Sequence, residues 1–372
     1  MKLETRNVSV AIIGGGFAGL AAAVELASRG VAVTLLEAAK QLGGRARRVE
    51  YRGVTLDNGC HILLGCYRET LRLIDLTSHA GRNCREVLLR LPLELRIEER
   101  LHLRAAMLPA PLHVIWGLAM ARGLSLGEKR SAARFMLDLR RTGFRLECDE
   151  TVAALLARHG QAGAVAEYLW RPLCLAALNT GAEQASAQVF LNVLRDSLGS
   201  ERAASDLLLP RADLSAVFPD LAGAYVIGRG GSILLGRQAE ALETRPAGFI
   251  VPSGDERLEF SHVICALPPQ RAAELLQPLA ALAPPVEMMQ AFSHNPICSV
   301  YLQYPVPITL PAPMLGLAGG LGQWAFDKEW LCGQRGLIAV VISGGGPHES
   351  LSQDDLAQRV HEELKGILPD LP

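Results

Sequence analysis

Three glycines near the N-terminus have a spacing that can hold a diphosphate. Gly14, Gly16 and Gly19 form GxGxxG between the apolar, β-branched run VSVAII and an Ala/Leu-rich stretch with a helical apolar stripe. The first glycine permits a tight turn, the second lets backbone approach a pyrophosphate, and the third allows close packing. Phe17 and Ala18 begin the helix, whose first N–H groups and positive dipole end attract phosphate. The pattern predicts a dinucleotide site.

A carboxylate and a second glycine pair follow at matching positions. Glu37 lies 18 residues after Gly19, at the end of the second expected strand, where a carboxylate accepts a hydrogen bond from a ribose hydroxyl. Gly43, Gly44 and Arg45 come next, and they suit a second close approach of backbone to phosphate together with a guanidinium group. A Gly-rich turn in an unrelated α/β fold is the alternative, and the complete match favours the dinucleotide site.

The segment DNGCH is polar within an apolar context. Burying Asp57, Gly59 and His61 there would be costly without a polar ligand or partner. His61 alone fits two interpretations, which are a hydrogen-bonded core histidine and a contact to cofactor or substrate.

The elements that position these residues form a βαβ unit, with strands at 8–13 and 31–36 around a helix at 17–29. From Leu71 to Ser215, long Leu/Ala/Arg-rich stretches predict a helical insertion with helices at 124–146 and 151–178. The Gly-rich GRGGS at 228–232 is expected to lead into another helix. Strands are expected at 258–267, 297–302 and 337–342, and a polar helix at 353–364. The return to strands predicts that the dinucleotide-binding domain is discontinuous.

Composition limits the possible partners. The 372 residues carry 37 Lys and Arg against 38 Asp and Glu, so the chain lacks the basic footprint of a nucleic-acid binder. The eight cysteines form no CxxC pair, and no His cluster stands at metal-ligand spacing beside them. We therefore expect reduced thiols in a cytosolic protein, no metal site and no secretion signal.

The segment AAMLPAPLHVIWGLAMA at 105–121 is conspicuously apolar. It is shorter than the roughly 20 residues that span a bilayer, and two prolines and a histidine interrupt it. Three interpretations stay open, which are a buried helix, the lining of a substrate pocket, and a monotopic patch in the bilayer surface.

The sequence resembles the flavin-dependent amine oxidase and carotenoid desaturase superfamily, on the strength of GGGFAG, the Glu37 position, LGGR and DNGCH. Three further stretches resemble the hydroxysqualene dehydroxylases of bacterial hopanoid biosynthesis, also called squalene-associated FAD-dependent desaturases. These are DNGCHILLGCYRETLRLI, RPLCLAALNTGAEQASAQVFLNVLRDSL and SDLLLPRADLSAVFPD. The resemblance runs to about Pro269 and continues more loosely to the end.

The resemblance implies an α/β fold, a Rossmann-like FAD-binding domain with an interwoven, largely helical substrate domain. The expected boundaries are 1–75 and 216–270 for FAD, and 76–215 and 271–372 for substrate. It also implies that reduced flavin replaces the hydroxyl of hydroxysqualene with hydride from N5. The implied cofactor contacts are Gly14, Gly16, Phe17, Ala18, Gly19, Glu37, Gly43, Gly44, Arg45, Asp57, Gly59 and His61. The family's closing Gly-Asp segment does not match here, so we expect a C-terminally shortened chain whose FAD site is weakened.

Removing the hydroxyl as water requires a proton donor beside an apolar pocket. The candidates are His61, Asp206 and Asp213, with Arg211 as an orienting cation, although a solvated turn also explains SDLLLPRAD. Pocket or core are the two interpretations for Met107, Leu108, Trp116, Tyr168, Trp170 and Phe190.

Two other functions fit the same motifs. Flavin could act oxidatively, as in an isoprenoid or carotenoid desaturase, or the chain could be a non-catalytic lipid-binding paralogue. Because squalene-like substrates dissolve in the bilayer, we expect peripheral attachment to the inner face of the bacterial cell membrane. The sequence gives no oligomeric state.

Overall fold

The computed structural model describes residues 8–78, 84–199 and 201–372. Its strands are β1 (Ser9–Ile13), β2 (Ala32–Glu37), β3 (Arg48–Tyr51), β4 (Val54–Asp57), β5 (Leu63–Leu64), β6 (Leu88–Leu91), β7 (Glu94–Ile97), β8 (Leu101–Arg104), β9 (Leu207–Pro210), β10 (Ser232–Leu235), β11 (Glu243–Arg245), β12 (Gly248–Ser253), β13 (Glu256–Phe260), β14 (His262–Cys265), β15 (Ile297–Gln303), β16 (Met314–Gly316), β17 (Trp324–Asp327) and β18 (Leu337–Ser343).

The α-helices are α1 (Phe17–Ser28), α2 (Arg68–Thr77), α3 (Cys84–Val87), α4 (Leu112–Met120), α5 (Leu126–Arg141), α6 (Val152–Arg158), α7 (Arg171–Leu178), α8 (Ala187–Leu198), α9 (Leu214–Val217), α10 (Pro219–Gly228), α11 (Pro269–Leu276), α12 (Ala283–Gln290), α13 (Lys328–Cys332) and α14 (Gln353–Ile367). A π-helical segment, Ala166–Trp170, precedes α7, and 3₁₀ turns lie at Arg202–Ser205, Ala280–Leu282 and Pro347–Ser350.

The described residues divide into two compact units. The first unit holds residues 8–58, 69–78, 84–87 and 212–294, and the second holds 59–68, 88–199, 201–211 and 295–372. The predicted assignment of one domain to FAD and the other to substrate stays a prediction.

A four-stranded parallel sheet in the order β10-β2-β1-β14 forms the centre of the first unit. β1 is an apolar run because both of its faces are covered, and Ala11 and Ile12 are fully buried. The helix α1 connects β1 to its parallel neighbour β2, as a crossover must. This confirms the predicted βαβ unit and the α/β, Rossmann-like fold.

The second unit is built on a six-stranded mixed sheet in the order β15-β18-β17-β16-β7-β8. Its main core includes the fully buried side chains of Phe135, Phe190, Leu101 and Leu155. The predicted strands near 297–302 and 337–342 and the closing helix are confirmed as β15, β18 and α14.

Three details of the predicted elements are wrong. The stretch 71–215 is not helical throughout, since β6 to β9 lie within it. The expected helix at 151–178 is interrupted after α6, where Gly160 and Gly163 adopt left-handed backbone with φ of 61° and 67°. GRGGS leads into strand β10 rather than a helix, because Ser232–Leu235 pairs in parallel with β2.

No helix among the described residues is long and apolar enough to cross a membrane. The seven cysteines whose side chains are described are free thiols, and the side chain of Cys84 lies outside the described part of the chain.

Candidate functional site: two glycine turns in the first unit

The first glycine turn lies at the carboxyl end of β1 and is shaped by close backbone contacts. Gly14 has φ of +109°, and a Cβ there would lie 2.8 Å from the carbonyl oxygen of Ala266. A Cβ on Gly19 would lie 1.9 Å from the carbonyl oxygen of Gly14, so α1 can pack on the turn only with glycine at this position. Both glycines are therefore required by the protein's own fold.

Gly16 is different, because the fold leaves room for a side chain there. Its φ of −74° and ψ of −178° are open to any residue, and the nearest atom to a Cβ would be the Gly44 Cα at 4.0 Å. A glycine that its own fold does not require indicates close approach by a ligand. This space beside the backbone is what a pyrophosphate needs.

The second glycine turn lies directly against the first. The Gly43 amide donates to the Gly15 carbonyl oxygen at 2.9 Å, and a Cβ on Gly44 would lie 3.1 Å from the Gly16 Cα. Gly43 and Gly44 have φ of 108° and 58°. The backbones of the two turns are thus in direct contact.

Glu37 is held firmly at the end of β2. Its Oε2 accepts from the Gly15 amide at 2.7 Å, and its Oε1 accepts from the Ala39 amide at 2.7 Å. A carboxylate has about four lone-pair positions, so both oxygens keep capacity for a ribose hydroxyl.

The start of α1 faces the turns without a side-chain cap, since Gly16 is its N-cap and no acidic residue occupies its first turn. The ring of Phe17 packs against that of Phe218, with centroids 5.2 Å apart, which fixes the first turn of this 12-residue helix. Ala18 adds only a methyl group. The first N–H groups of a helix have no intrahelical partner and can bind phosphate.

Two arginines adjoin the second turn. Arg45 is exposed, and its carbonyl oxygen accepts from the Asn58 side chain at 3.2 Å. Arg47 has a buried Nε without a hydrogen-bond partner in the described structure, and its Cβ would lie 3.0 Å from a Cβ on Gly43. Arg47 is not among the cofactor contacts predicted from the sequence, although the run GGRARR points to it. A buried guanidinium donor without a partner beside two glycine turns fits a diphosphate group.

Asp57 and Gly59 are both buried within the protein. Asp57 is buried, and its Oδ1 accepts from the Leu214 amide at 2.7 Å, which ties β4 to the start of α9 in the first unit. Gly59, in the second unit, is buried too. The cost of burying Asp57 is thus offset by a backbone partner rather than a ligand.

His61 is exposed, so its interpretation as a core histidine is wrong. Its Nδ1 lies 2.8 Å from the Gly59 carbonyl oxygen. Because a carbonyl can only accept, Nδ1 carries the proton and Nε2 is the ring nitrogen that can face a ligand.

The two candidate aspartates lie in different units. In the second unit, the Asp206 carboxylate accepts from Arg90 Nε at 2.9 Å and from Arg202 Nη1 at 3.1 Å, with 5% of its side chain exposed. In the first unit, Asp213 caps α9 by accepting from the Ala216 amide at 3.1 Å and lies 3.4 Å from Arg48 Nη1. Arg211 is exposed.

The expected pocket residues do not share one environment. Trp170 and Phe190 are 3% and 0% exposed and belong to the core of the second unit, as the core interpretation predicts. Tyr168 is half-buried against that core. Met107, Leu108 and Trp116 are exposed. Within the described residues, no three or more His, Cys, Asp or Glu side chains are grouped to hold a metal ion.

The flavin-containing amine oxidoreductase family model matches residues 17–372. The chain is similar to the hydroxysqualene dehydroxylase of Rhodopseudomonas palustris, at 28% identity over 98% of this chain and 83% of the relative. The Sinorhizobium fredii hydroxysqualene dehydroxylase is 27% identical over 98% and 83%. A zeta-carotene desaturase of Solanum lycopersicum is 39% identical over only 18% of this chain and 12% of the relative.

Solved structures agree with this family at the level of fold. An oxidoreductase from Methanosarcina mazei superposes with a TM-score of 0.73 at 15% identity, covering 98% of this chain and 85% of that one. The resemblance to hydroxysqualene dehydroxylases is thus confirmed along nearly the whole chain. The chain belongs to the flavin-containing amine oxidoreductase family and is a flavin-dependent oxidoreductase.

Proposed function

We propose that this protein binds FAD and uses the reduced flavin to convert hydroxysqualene to squalene. The observation that carries the proposal is similarity to hydroxysqualene dehydroxylases over 98% of the chain, whereas the similarity to a desaturase covers 18%. A long isoprenoid is the substrate class that follows.

The residues of the first unit fit FAD rather than a smaller flavin. The cofactor contacts proposed at the first turn are Gly14, Gly16, Phe17, Ala18, Gly19 and Glu37, and those at the second are Gly43, Gly44 and Arg45. We add Arg47, on account of its unpartnered buried Nε. A diphosphate beside Gly16 and a ribose on Glu37 together require a dinucleotide. Asp57, Gly59 and His61 remain proposed contacts, with Asp57 acting through the backbone that it positions.

The reaction needs one hydride and one proton, since R–OH plus H⁻ plus H⁺ gives R–H plus water. Bound reduced flavin supplies the hydride from N5. The chain must supply the proton, and we propose His61 for this role because its Nδ1–H bond to Gly59 fixes the ring and leaves Nε2 to carry the transferable proton.

Asp206 and Asp213 are the alternative donors. Asp206 accepts from two guanidinium groups and Asp213 caps a helix, so each already has a positioning role that requires its charged form or its acceptor oxygens. Both nevertheless lie in the SDLLLPRAD segment, which resembles the hydroxysqualene dehydroxylases.

The test is anaerobic turnover of hydroxysqualene with reduced FAD, with products identified by mass spectrometry. We expect squalene from the wild type and a kcat lower by about 10²-fold or more in His61→Gln. Unchanged turnover in both Asp206→Asn and Asp213→Asn would remove the aspartates from the proposal, and unchanged turnover in His61→Gln would remove the histidine.

The runner-up is an oxidative desaturase. Conversion of an isoprenoid polyene by oxidised FAD, without squalene formation in the reductive assay, would replace the main proposal.

Attachment to the inner face of the bacterial membrane is part of the proposal, because the substrate is a lipid. Recovery of all the protein in the soluble fraction, without detergent or salt, would contradict that attachment.

A further inference from the structure

The helix α4 in the second unit presents an apolar face outward. Leu112, Ile115, Trp116 and Met120 recur at the i, i+3, i+4 and i+8 positions, which share one helix face. Their exposed fractions are 53%, 43%, 53% and 63%. Globular proteins usually turn such a stripe toward the core, so its outward position calls for a partner.

The opposite face of α4 fixes this orientation. His113, Gly117 and Leu118 are buried, and a Cβ on Gly117 would lie only 2.8 Å from the carbonyl oxygen of Arg104 at the end of β8. The helix therefore lies flat on the strand through its smallest residue. Rotating the apolar face inward would bring bulky side chains into that contact.

The loop before α4 extends the same surface. Met107 is 73% exposed and Leu108 is 37% exposed. We name the α4 surface as the set Met107, Leu108, Leu112, Ile115, Trp116 and Met120. The stretch 105–121 that contains it holds no Asp, Glu, Lys or Arg.

Basic side chains surround the α4 surface. Arg202 Nη1 lies 3.7 Å from the Met107 sulfur, and Lys129 Nζ donates to the Ala119 carbonyl oxygen at 2.9 Å. Arg122, exposed, follows the helix and pairs through its backbone with His102. Two acidic residues lie near these basic groups, and both are already partnered. Glu94 contacts His102 and Arg104, and Asp206 pairs with Arg202. An apolar face with a basic rim is complementary to anionic lipid headgroups over acyl chains.

We propose that the α4 surface docks in the face of an anionic lipid bilayer, with α4 parallel to the membrane plane. Nine helical residues extend only about 13 Å, far less than the roughly 30 Å hydrocarbon core, so the helix lies in the interface. Trp116 would sit at the headgroup level, where tryptophan is enriched. Of the three interpretations of 105–121, this is the monotopic one, and it gives the proposed membrane attachment a defined surface.

The test is vesicle flotation of the purified protein without substrate, so its result is independent of turnover. Vesicles of phosphatidylcholine alone are compared with vesicles containing one quarter phosphatidylglycerol. We expect wild type to bind the anionic vesicles, and the double variant Ile115→Ser/Met120→Ser to bind at least tenfold less. Arg122→Gln should reduce binding about fivefold on anionic vesicles only.

The matched control is Ile227→Ser/Met288→Ser, which changes the same residue types at exposed positions of the first unit, 60% and 65% exposed. It should bind like wild type. Circular dichroism confirms that each variant is folded. Brominated lipids should quench part of the wild-type tryptophan fluorescence, and Trp116→Phe should lose that quenched part.

Equal binding by wild type and Ile115→Ser/Met120→Ser would overturn the proposal, as would absence of wild-type binding to either vesicle. Self-association that disappears in this double variant, with no vesicle binding, would instead assign the α4 surface to a second copy of the chain.

Discussion

At the scale of single residues, we expect a substitution at Gly16 to weaken ligand binding and a substitution at Gly19 to weaken folding. A methyl group on Gly16 meets no other atom of the protein closer than 4.0 Å, whereas one on Gly19 meets the Gly14 oxygen at 1.9 Å. We therefore expect Gly16→Ala to unfold at the wild-type temperature but to bind FAD at least tenfold more weakly. Gly19→Ala should lower the free energy of unfolding by about 1–3 kcal/mol, even without flavin. Flavin titration and thermal denaturation of both variants check this, and tight FAD binding by Gly16→Ala would contradict it.

The sequence predicts residues at this scale when their role depends on local backbone. Gly14, Gly19 and Glu37 follow from a motif within one βαβ unit, and the structure gives each a close contact that explains it. Asp57 could be predicted as a buried polar residue, but its partner, the Leu214 amide, is 157 positions away. The sequence around Asp57 does not show whether its partner is a ligand or a backbone amide from a distant part of the chain.

At the scale of elements, amino-acid composition predicts the wrong element type for residues 88–104, whereas the spacing of their apolar residues indicates strands. Residues 88–104 are Leu/Arg-rich, a composition that predicts helices. Leu95, Ile97, Leu101 and Leu103 are buried at alternate positions of the hairpin β7–β8, which is the period of two that strands require. The helix predicted after GRGGS is wrong for another reason. The segment forms strand β10 because it pairs with β2, and its own sequence does not favour a strand.

The buried His113 of α4 leads us to expect that the stability of the protein depends on pH. His113 is fully buried, its Nε2 lies 3.2 Å from Ser205 Oγ, and its Nδ1 has no partner within the described residues. Burial, followed by the nearby Arg202, lowers the pKa of His113 below its usual 6.5. The folded state therefore binds this proton less readily than the unfolded chain. The stability that His113 contributes is present above pH 6.5 and is lost as the pH falls.

We expect the free energy of unfolding to fall more steeply in wild type than in His113→Gln between pH 7 and pH 5. The difference in slope is at most about 1.4 kcal/mol per pH unit, the limit for one proton. Urea denaturation at several pH values measures it, and His294→Gln, at an exposed histidine, is the control. Parallel curves for wild type and His113→Gln would show that His113 does not titrate differently on unfolding.

At the scale of the whole molecule, the chain passes repeatedly between the two units. β1 pairs with β14, whose first residue, His262, lies opposite Val10, and the short piece 59–68 belongs to the second unit. The discontinuity itself could be expected from the return of strand patterns after a long insertion. The position of each crossing could not, because it depends on pairings between segments some 250 residues apart, which leave no local pattern.

Ligand linkage offers a whole-molecule prediction for the proposed cofactor. A ligand that binds only the folded state at 100 times its Kd raises the free energy of unfolding by about 2.7 kcal/mol. FAD at that excess should therefore raise the unfolding temperature by several degrees. FMN lacks the adenosine ribose that Glu37 would bind and should give a smaller shift at the same concentration. Scanning calorimetry of wild type and Gly16→Ala with each ligand measures this. Equal shifts with FMN and FAD would contradict a dinucleotide site, and a full FAD shift in Gly16→Ala would place the flavin elsewhere than the two glycine turns.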